Sequence, residues 1–337
     1  MLFVKTEDLK AGMRLAKPIY NKNGVMLYDR NSKITSQGII SVNNFGLIGI
    51  YILEPAEPVP PMSEDDIEFE RFQAMSVFTI REILDAYSKN QKEKDMYQFI
   101  NQLLKKYGSL HHKINFIQNL RSNEDYIYKH SLNTAILCAL ISSRLGLEFK
   151  SQLDIVAAAL LHDVGGLMIP GNIRRKRKAD ITEDDEKKIS QCYQNSYIAF
   201  KDNTDLSPDI KRILSASIAV LHPDIPAASA KMPTVIGAEI LKVAYNFDNM
   251  TAMKFGDEPL SEIAAVRYLL EHVDEFDKKV VDALLDSINI LSPGVCVEFT
   301  NGDNGLVVTA NDSNVLEPFV FCLLYTSPSP RDRSVSR

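Results

Sequence analysis

The sequence has no tryptophan, and none of its four cysteines belongs to a Cys-x-x-Cys pair. Scattered cysteines of this kind are typical of free thiols in a reducing compartment. No apolar run reaches the roughly 18 residues that a membrane span requires. The N-terminus becomes acidic at Glu7 and Asp8, which is too early for a signal peptide. These absences predict a cytoplasmic protein without a membrane span.

An excess of positive charge is also lacking, because the formal net charge is −6. The overall balance therefore gives no indication of a nucleic acid or an anionic membrane surface as partner. What the chain does have is 45% hydrophobic residues in a length of 337, which is enough for two or more domains with a core.

Hydrophobic periodicity, prolines and turn residues divide the chain into segments. Tail residues from Cys322 onward break with the preceding composition, so we interpret them as a non-native extension that adds nothing to stability. The predicted segments are a small α/β module (1–54), a proline-rich linker (55–62), a helical connector (63–121), a helical domain (122–291), a β-hairpin (292–321) and the tail (322–337).

The most informative motif is the adjacent pair His162-Asp163, at the end of the apolar run Ala158 to Leu161. An imidazole and a carboxylate at the end of one helix can reach the same point, which is how hydrolytic metal sites are built. His130 lies 32 residues earlier, inside another predicted helix. The three side chains are the candidate metal ligands of the chain.

The segments His130 to Ala135 and Leu160 to Gly165 resemble the HD superfamily of metal-dependent phosphohydrolases. Met168 to Pro170 and Ile181 to Glu183 extend the resemblance to the HD-GYP branch, whose active members hydrolyse cyclic di-GMP. The resemblance covers roughly residues 122–321. It implies a mainly α fold, in which an HD-type helical bundle follows a small N-terminal α/β module and precedes a C-terminal β-hairpin.

The resemblance also shows which functional groups are missing. The family holds two or three metal ions with histidines and carboxylates, and a lysine after the His-Asp pair contacts a phosphate. No Gly-Tyr-Pro sequence is present, and the corresponding stretch begins at His222. The replacing residues are Gly166 for the lysine, Cys192 for a histidine, Ala216 and Ser217 for two histidines, Ile218 for a glutamate and Tyr245 for the last aspartate.

The remaining ligands predict at most one weakly bound divalent ion, Fe, Mn or Zn, and no catalytic residue is assigned. His130, His162 and Asp163 are expected to converge, either on that ion or in a hydrogen-bonded network without metal. Cys192 is a further candidate ligand, and its alternative is a buried free thiol. Asp248 is another, and its alternative is a surface or hydrogen-bonded helix residue.

One basic cluster, Arg174 to Lys178, follows the His-Asp motif. Lys176 is the nearest match to a phosphate-contacting lysine of the family, and Arg174 and Arg175 are the other candidates for binding an anionic ligand such as a cyclic dinucleotide. The alternative is a solvated loop that the acidic run Glu183 to Glu186 neutralises.

The lost ligands favour a degenerate HD-GYP protein that acts as a non-catalytic signalling or scaffold module, with protein partners in a bacterial signalling pathway. Two alternatives remain open. One is a metal-dependent cyclic di-GMP phosphodiesterase with an altered mononuclear site, and the other is a cyclic-dinucleotide receptor that does not hydrolyse its ligand. Fold resemblance alone does not establish activity.

Overall fold

A computed structural model describes residues 1–20, 25–54, 57–91, 95–222, 235–254, 258–299, 301–311 and 314–323. Helices dominate these residues and pack into one bundle, with small antiparallel sheets near both ends of the chain. The predicted mainly α fold with an HD-type bundle is therefore confirmed. Within the described ranges, no helix is both long and apolar enough to cross a membrane.

The N-terminal module is built around short strands and one helix. Strands β1, β5 and β2 form an antiparallel sheet in that order, while β3 pairs with β4. The side chain of Thr35 accepts a hydrogen bond from the Gly38 amide and so starts the helix. The elements are β1 (Leu2–Lys5), β2 (Arg14–Leu15), β3 (Ile19–Tyr20), β4 (Met26–Tyr28), α1 (Ser36–Asn44) and β5 (Gly49–Leu53).

Two connector helices, α2 (Glu64–Ser88) and α3 (Met96–Tyr107), lead into the bundle. Ser63 accepts from the Asp66 amide and the Asp66 carboxylate accepts from the Ser63 amide, which is a complete capping box. The inner face of α2 packs against α4 and carries Gln73 toward the centre of the molecule.

The bundle is centred on α4, whose residues from Leu132 to Ile141 have almost no exposed surface. A helix that is buried on all sides can be apolar on all sides, which explains its weak amphipathicity. Helix α4 packs against α5, α10 and α2. The remaining helices are α4 (Tyr126–Arg144), α5 (Phe149–Leu161), α6 (Val164–Met168), α7 (Gly171–Arg174), α8 (Glu183–Asp202), α9 (Pro208–Leu221), α10 (Ile236–Thr251), α11 (Glu262–Glu271) and α12 (Lys278–Leu285).

The C-terminal sheet has three antiparallel strands in the order β6 (Cys296–Glu298), β7 (Asn304–Thr309) and β8 (Phe319–Leu323). The sequence predicts only the β6–β7 hairpin. Cys322 pairs with Gly305 and Leu323 with Asn304, so the sheet extends two residues past the predicted boundary at 321. Residues 324–337 of the proposed tail lie outside the described residues.

Gly49 lies where β5 meets β1, at a point with no space for a side chain. A Cβ atom there would be 2.5 Å from the Phe3 ring and 2.6 Å from the Val4 carbonyl oxygen. We expect Gly49→Ala to lower the free energy of unfolding by about 1–3 kcal/mol, because the strand backbone must shift. Urea denaturation measures this loss. Gly171→Ala is the control, since no atom lies within 4 Å of its added Cβ. Equal losses in both variants would contradict the explanation.

Candidate functional site

The structure brings His130, His162 and Asp163 together inside the bundle. His130 lies in the first turns of α4, His162 ends α5, and Asp163 separates α5 from α6. Their exposed fractions are 2%, 3% and 7%, and the two imidazole centroids are 5.1 Å apart. These three side chains are thus enclosed by protein rather than open to solvent.

The two imidazoles face each other through their Nε2 atoms. His130 Nδ1 is 2.6 Å from Asp248 Oδ2, and His162 Nδ1 is 2.7 Å from the Ala159 carbonyl oxygen. Both oxygens are acceptors, so each Nδ1 carries the hydrogen. In neutral rings each Nε2 then has a lone pair, and these atoms are only 3.3 Å apart. Such an arrangement attracts a proton or a metal ion between them.

The spacing of the Nε2 atoms fits one metal ion. Two imidazole nitrogens that bind zinc tetrahedrally, each at its usual bond length, are about 3.3 to 3.4 Å apart. The observed separation is 3.3 Å. His162 is also in the protonation state that a metal requires, because burial, assisted by His130, lowers its pKa to about 4. The imidazoles therefore suit a single ion.

The two carboxylates near the imidazoles, Asp163 and Asp248, have hydrogen-bond partners within the protein. Asp163 Oδ1 accepts a short hydrogen bond from the Tyr193 hydroxyl. Asp248 lies on the Nδ1 side of His130, away from Nε2, and Arg121 Nη2 is 2.7 Å from both of its oxygens. Asp248 therefore orients His130 instead of facing the point between the imidazoles. Among the described residues, no group of three or more His, Cys, Asp or Glu side chains is placed to hold a metal ion.

Asp248 is the centre of a buried polar network. Asn133 Nδ2 donates to its Oδ1 atom at 2.9 Å, and Gln118 Nε2 does so at 3.0 Å. Burial alone would raise the pKa of Asp248, but the charge of Arg121 and the hydrogen bond from His130 hold it below its usual range. Asp248 is consequently a carboxylate whose charge is already balanced within the protein.

Tyrosine rings fill the space around the imidazoles. Tyr245 stands edge-on to His130 and His162, with centroid distances of 5.0 and 5.5 Å. Tyr193 stacks on His222 at 4.0 Å, and its packing against the glycines after Asp163 leaves little room beside the carboxylate. Burial raises the pKa of Tyr193 and of Tyr245, so both remain protonated, and the Tyr193 hydroxyl donates to Asp163 as a neutral group.

Gly166, where the resemblance places a phosphate-contacting lysine, has little space for a side chain. A Cβ atom there would lie 2.9 Å from Ile127 Cδ1 and 3.2 Å from both the Asp163 Oδ1 atom and the Tyr193 hydroxyl. The Tyr193 hydroxyl thus lies beside the point from which a side chain at position 166 would extend. Sequence reasoning missed Tyr193, although its place on the inner face of α8, one turn before Ser196 and two before Phe200, is a usable signal.

The other candidates lie outside this cluster. Cys192 is a partly exposed free thiol beside Tyr193, and burial raises its pKa. Lys176 donates to Asp185 Oδ2 at 2.5 Å, the acceptor that also completes the capping box of α8. Arg174 and Arg175 are exposed. Residues 223–226, where the family has Gly-Tyr-Pro, lie outside the described residues.

Residues 114–280 match the family model of the HD domain. This part of the chain is therefore an HD domain, and the resemblance to the HD-GYP branch is confirmed. The chain is 25% identical over 224 residues to the cyclic di-GMP phosphodiesterase PdeB of Borreliella burgdorferi, covering 61% of this chain and 55% of the relative. It is 22% identical over 207 residues to the cyclic di-GMP phosphodiesterase PA4108 of Pseudomonas aeruginosa, covering 60% and 49%.

The chain thus spans about half the length of these two curated relatives. Among solved structures, it is similar to Bd1817, described as an HDG"Y"P protein from Bdellovibrio bacteriovorus. The sequence identity is 14% and the TM-score 0.48, with 85% of this chain and 98% of the other covered.

The pKa of His162 predicts a pH dependence of stability. The pKa is about 4 in the folded chain and about 6.5 in the unfolded chain, so the unfolded state binds the proton more readily. We expect the free energy of unfolding to fall as the pH drops from about 6.5 to about 4, with His162 contributing on the order of 3 kcal/mol. Urea titrations with EDTA present measure this slope.

In His162→Gln the slope between these pH values becomes shallower, whatever the absolute stability of the variant. His111→Gln is the matched control, because His111 is exposed. A slope that is the same in wild type and His162→Gln would contradict a neutral, buried His162.

Proposed function

We propose that this chain is a non-catalytic HD-domain protein that acts as a signalling or scaffold module through contacts with other proteins. The observation that carries the proposal is the internal pairing of the retained carboxylates. Asp163 accepts from Tyr193, and Asp248 is bound to Arg121 and His130. Groups that would hold metal ions in a phosphodiesterase of this family are used here to stabilise the bundle.

The enclosure of the site supports the same proposal. The HD-domain phosphodiesterases are metal-dependent, and hydrolysis at such a centre requires that a phosphate and a water reach the ions. Here Tyr245 lies against both imidazoles, and Tyr193 fills the space beside Asp163 and Gly166. The residues present do not fit a centre of two or three metals, and we derive no hydrolytic step from them.

Arg174 and Arg175 are the surface residues that we propose for a protein partner. Both are exposed on the short helix α7 and the residue after it. Lys176 and Arg177 already form ion pairs within the chain, with Asp185 and Asp180 respectively. Arg174 and Arg175 are therefore the residues of this cluster that we expect to bind an acidic partner surface.

We expect no measurable hydrolysis of cyclic di-GMP by the purified chain with added Mn²⁺ or Fe²⁺. Loss of a single electrostatic group at such a centre typically costs about 100-fold or more in rate, and several are lost here. Product formation followed by chromatography is the measurement, with His162→Ala as the control for contaminating activity. Turnover that His162→Ala abolishes would overturn the proposal. Binding of cyclic di-GMP without turnover would instead favour a receptor.

The second candidate function is a phosphodiesterase with one metal ion. The convergence of His130 Nε2 and His162 Nε2 at 3.3 Å specifically favours it, because two imidazoles with correct spacing and tautomers are the minimal protein contribution to a metal site. Water molecules would complete the coordination. Asp163 could contribute its Oδ2 atom, because Tyr193 donates to Oδ1.

Metal stoichiometry tests both candidates, because neither allows more than one ion per chain. We expect at most one ion per chain when Zn²⁺ or Mn²⁺ is titrated by calorimetry, with weak affinity because protein ligands are few. His130→Gln and His162→Gln should each abolish this binding, whereas His111→Gln should retain it. Two or more ions per chain, measured by elemental analysis, would contradict the non-catalytic proposal and indicate ligands that the described residues do not supply.

A further inference from the structure

A cavity of about 310 Å³ lies where the N-terminal module, helix α2 and the segment leading into α4 meet. Its volume is at the lower end of the range of small-molecule sites, about 300–1,000 Å³. The cavity is separate from the imidazole pair, because neither His130 nor His162 lines it. Its lining residue Gln118 contacts Asp248 Oδ1, whereas His130 contacts Oδ2. It is thus distinct from the candidate metal site.

Direct bonds between the module and the bundle frame this cavity. The Ile48 amide donates to the Arg121 carbonyl at 3.0 Å, and Leu47 forms a β-bridge with Ser122. Lys17 Nζ donates to the Gln118 carbonyl at 2.7 Å. These bonds join the two parts around the gap, so the cavity is a feature of the fold.

Part of the cavity wall is apolar and partly exposed. Phe45 comes from the module and Val77 and Phe78 from α2. Ile117 comes from the segment that leads into α4, called the entry segment below. Phe78 is 44% exposed, although it is a large hydrophobic side chain. Two aromatic and two aliphatic side chains of this kind provide faces against which a flat ring can pack.

Two buried amide side chains, Gln73 and Gln118, also line the cavity. Each belongs to the network around Asp248. Gln73 Nε2 donates to Asn133 Oδ1 at 2.9 Å, and among the described residues no donor reaches its Oε1 atom. Gln73 Oε1 is therefore an acceptor that a ligand N–H group can satisfy.

The charged side chains of the wall balance one another, because three are basic (Lys17, Arg81 and Lys129) and three are acidic (Glu70, Glu124 and Asp125). Glu70 pairs with Arg30 at 3.1 Å, and Lys129 pairs with Asp125 at 2.6 Å. Lys17 donates to a carbonyl and lies over the Tyr51 ring. A charged ligand would have to compete with these interactions, whereas a neutral ligand would not.

We propose that this cavity binds a neutral, planar heteroaromatic molecule of the nucleobase type, with an N–H group that donates to Gln73 Oε1. Amide side chains are the groups that read the hydrogen-bonding edges of bases, and aromatic side chains stack on their faces. Gln73 reaches Asp248 through Asn133, and Asp248 holds His130. Occupancy of the cavity is thereby coupled to the orientation of the His130 imidazole.

Calorimetry and saturation-transfer NMR on the full chain, with adenosine, guanosine and uridine as probes, test the site. We expect at least one nucleoside to bind, and Ala74→Phe, which fills the cavity from α2, to weaken binding about tenfold or more. Met75→Leu on the same helix is the control, because Met75 is 67% exposed and outside the lining. It should bind like wild type.

Phe78→Ala is the second variant, for the case that Ala74→Phe does not fold. It removes one wall and should also weaken binding while leaving the circular dichroism unchanged. No binding of any probe to wild type at millimolar concentration would overturn the proposal. Tighter binding of adenosine monophosphate than of adenosine would overturn the neutrality of the ligand.

NMR of the histidine rings tests the coupling between occupancy of the cavity and the orientation of His130. With histidine labelled at the ring nitrogens, saturation with the bound nucleoside should shift the His130 signals and leave those of the remote His272 unchanged. Binding without any change at His130 would overturn the coupling. This test does not depend on catalysis, so its outcome is independent of the proposed non-catalytic function.

Discussion

The buried ion pair between Arg121 and Asp248 is the interaction on which the arrangement of the bundle depends. Neither side chain has exposed surface, and Arg121 Nη2 lies 2.7 Å from both carboxylate oxygens. A buried charge without its partner is strongly destabilising, typically by about 3–5 kcal/mol. Arg121 precedes α4 and Asp248 lies on α10, so this pair holds the entry segment and the two helices in one relative position.

The same pair determines the geometry of the imidazoles. Because Asp248 Oδ2 accepts from His130 Nδ1, the ring is held in one tautomer and its Nε2 atom is directed at His162. In a metalloenzyme this contact would orient a metal ligand. Here it also satisfies a buried carboxylate that Arg121, Asn133 and Gln118 share. Retention of His130 and Asp248 therefore follows from the stability of the fold, and by itself it is not evidence of catalysis.

Local patterns were sufficient to predict much of this structure. The reciprocal bonds of Ser63 with Asp66 and of Ser122 with Asp125 are recognisable from residue type and spacing alone. The central helix α4 follows from its continuous apolar run. Strand β8 was missed because it pairs with β7 across a long connection, and no local pattern reveals such a pairing.

The buried polar network around Asp248 is also not predictable from local patterns, because its members are far apart in the sequence. Arg121 and Asp248 are 127 residues apart, so neither reveals the other in the sequence. Periodicity could have indicated Tyr193, since it shares the inner face of α8 with Ser196 and Phe200. The sequence predicts Cys192 as a candidate ligand instead. Cys192 is the neighbour of Tyr193 and lies outside the cluster.

Gly166 and Tyr193 depend on each other for space. A side chain at position 166 would meet the Tyr193 hydroxyl, Asp163 Oδ1 and Ile127, so the glycine and the tyrosine ring use the same space. The tyrosine supplies Asp163 with a hydrogen-bond donor that carries no positive charge. A lysine at position 166 would bring its side chain against this hydroxyl and against Ile127. Accommodating a lysine there therefore requires that Ile127 and Tyr193 shift, or that Tyr193 be replaced as well.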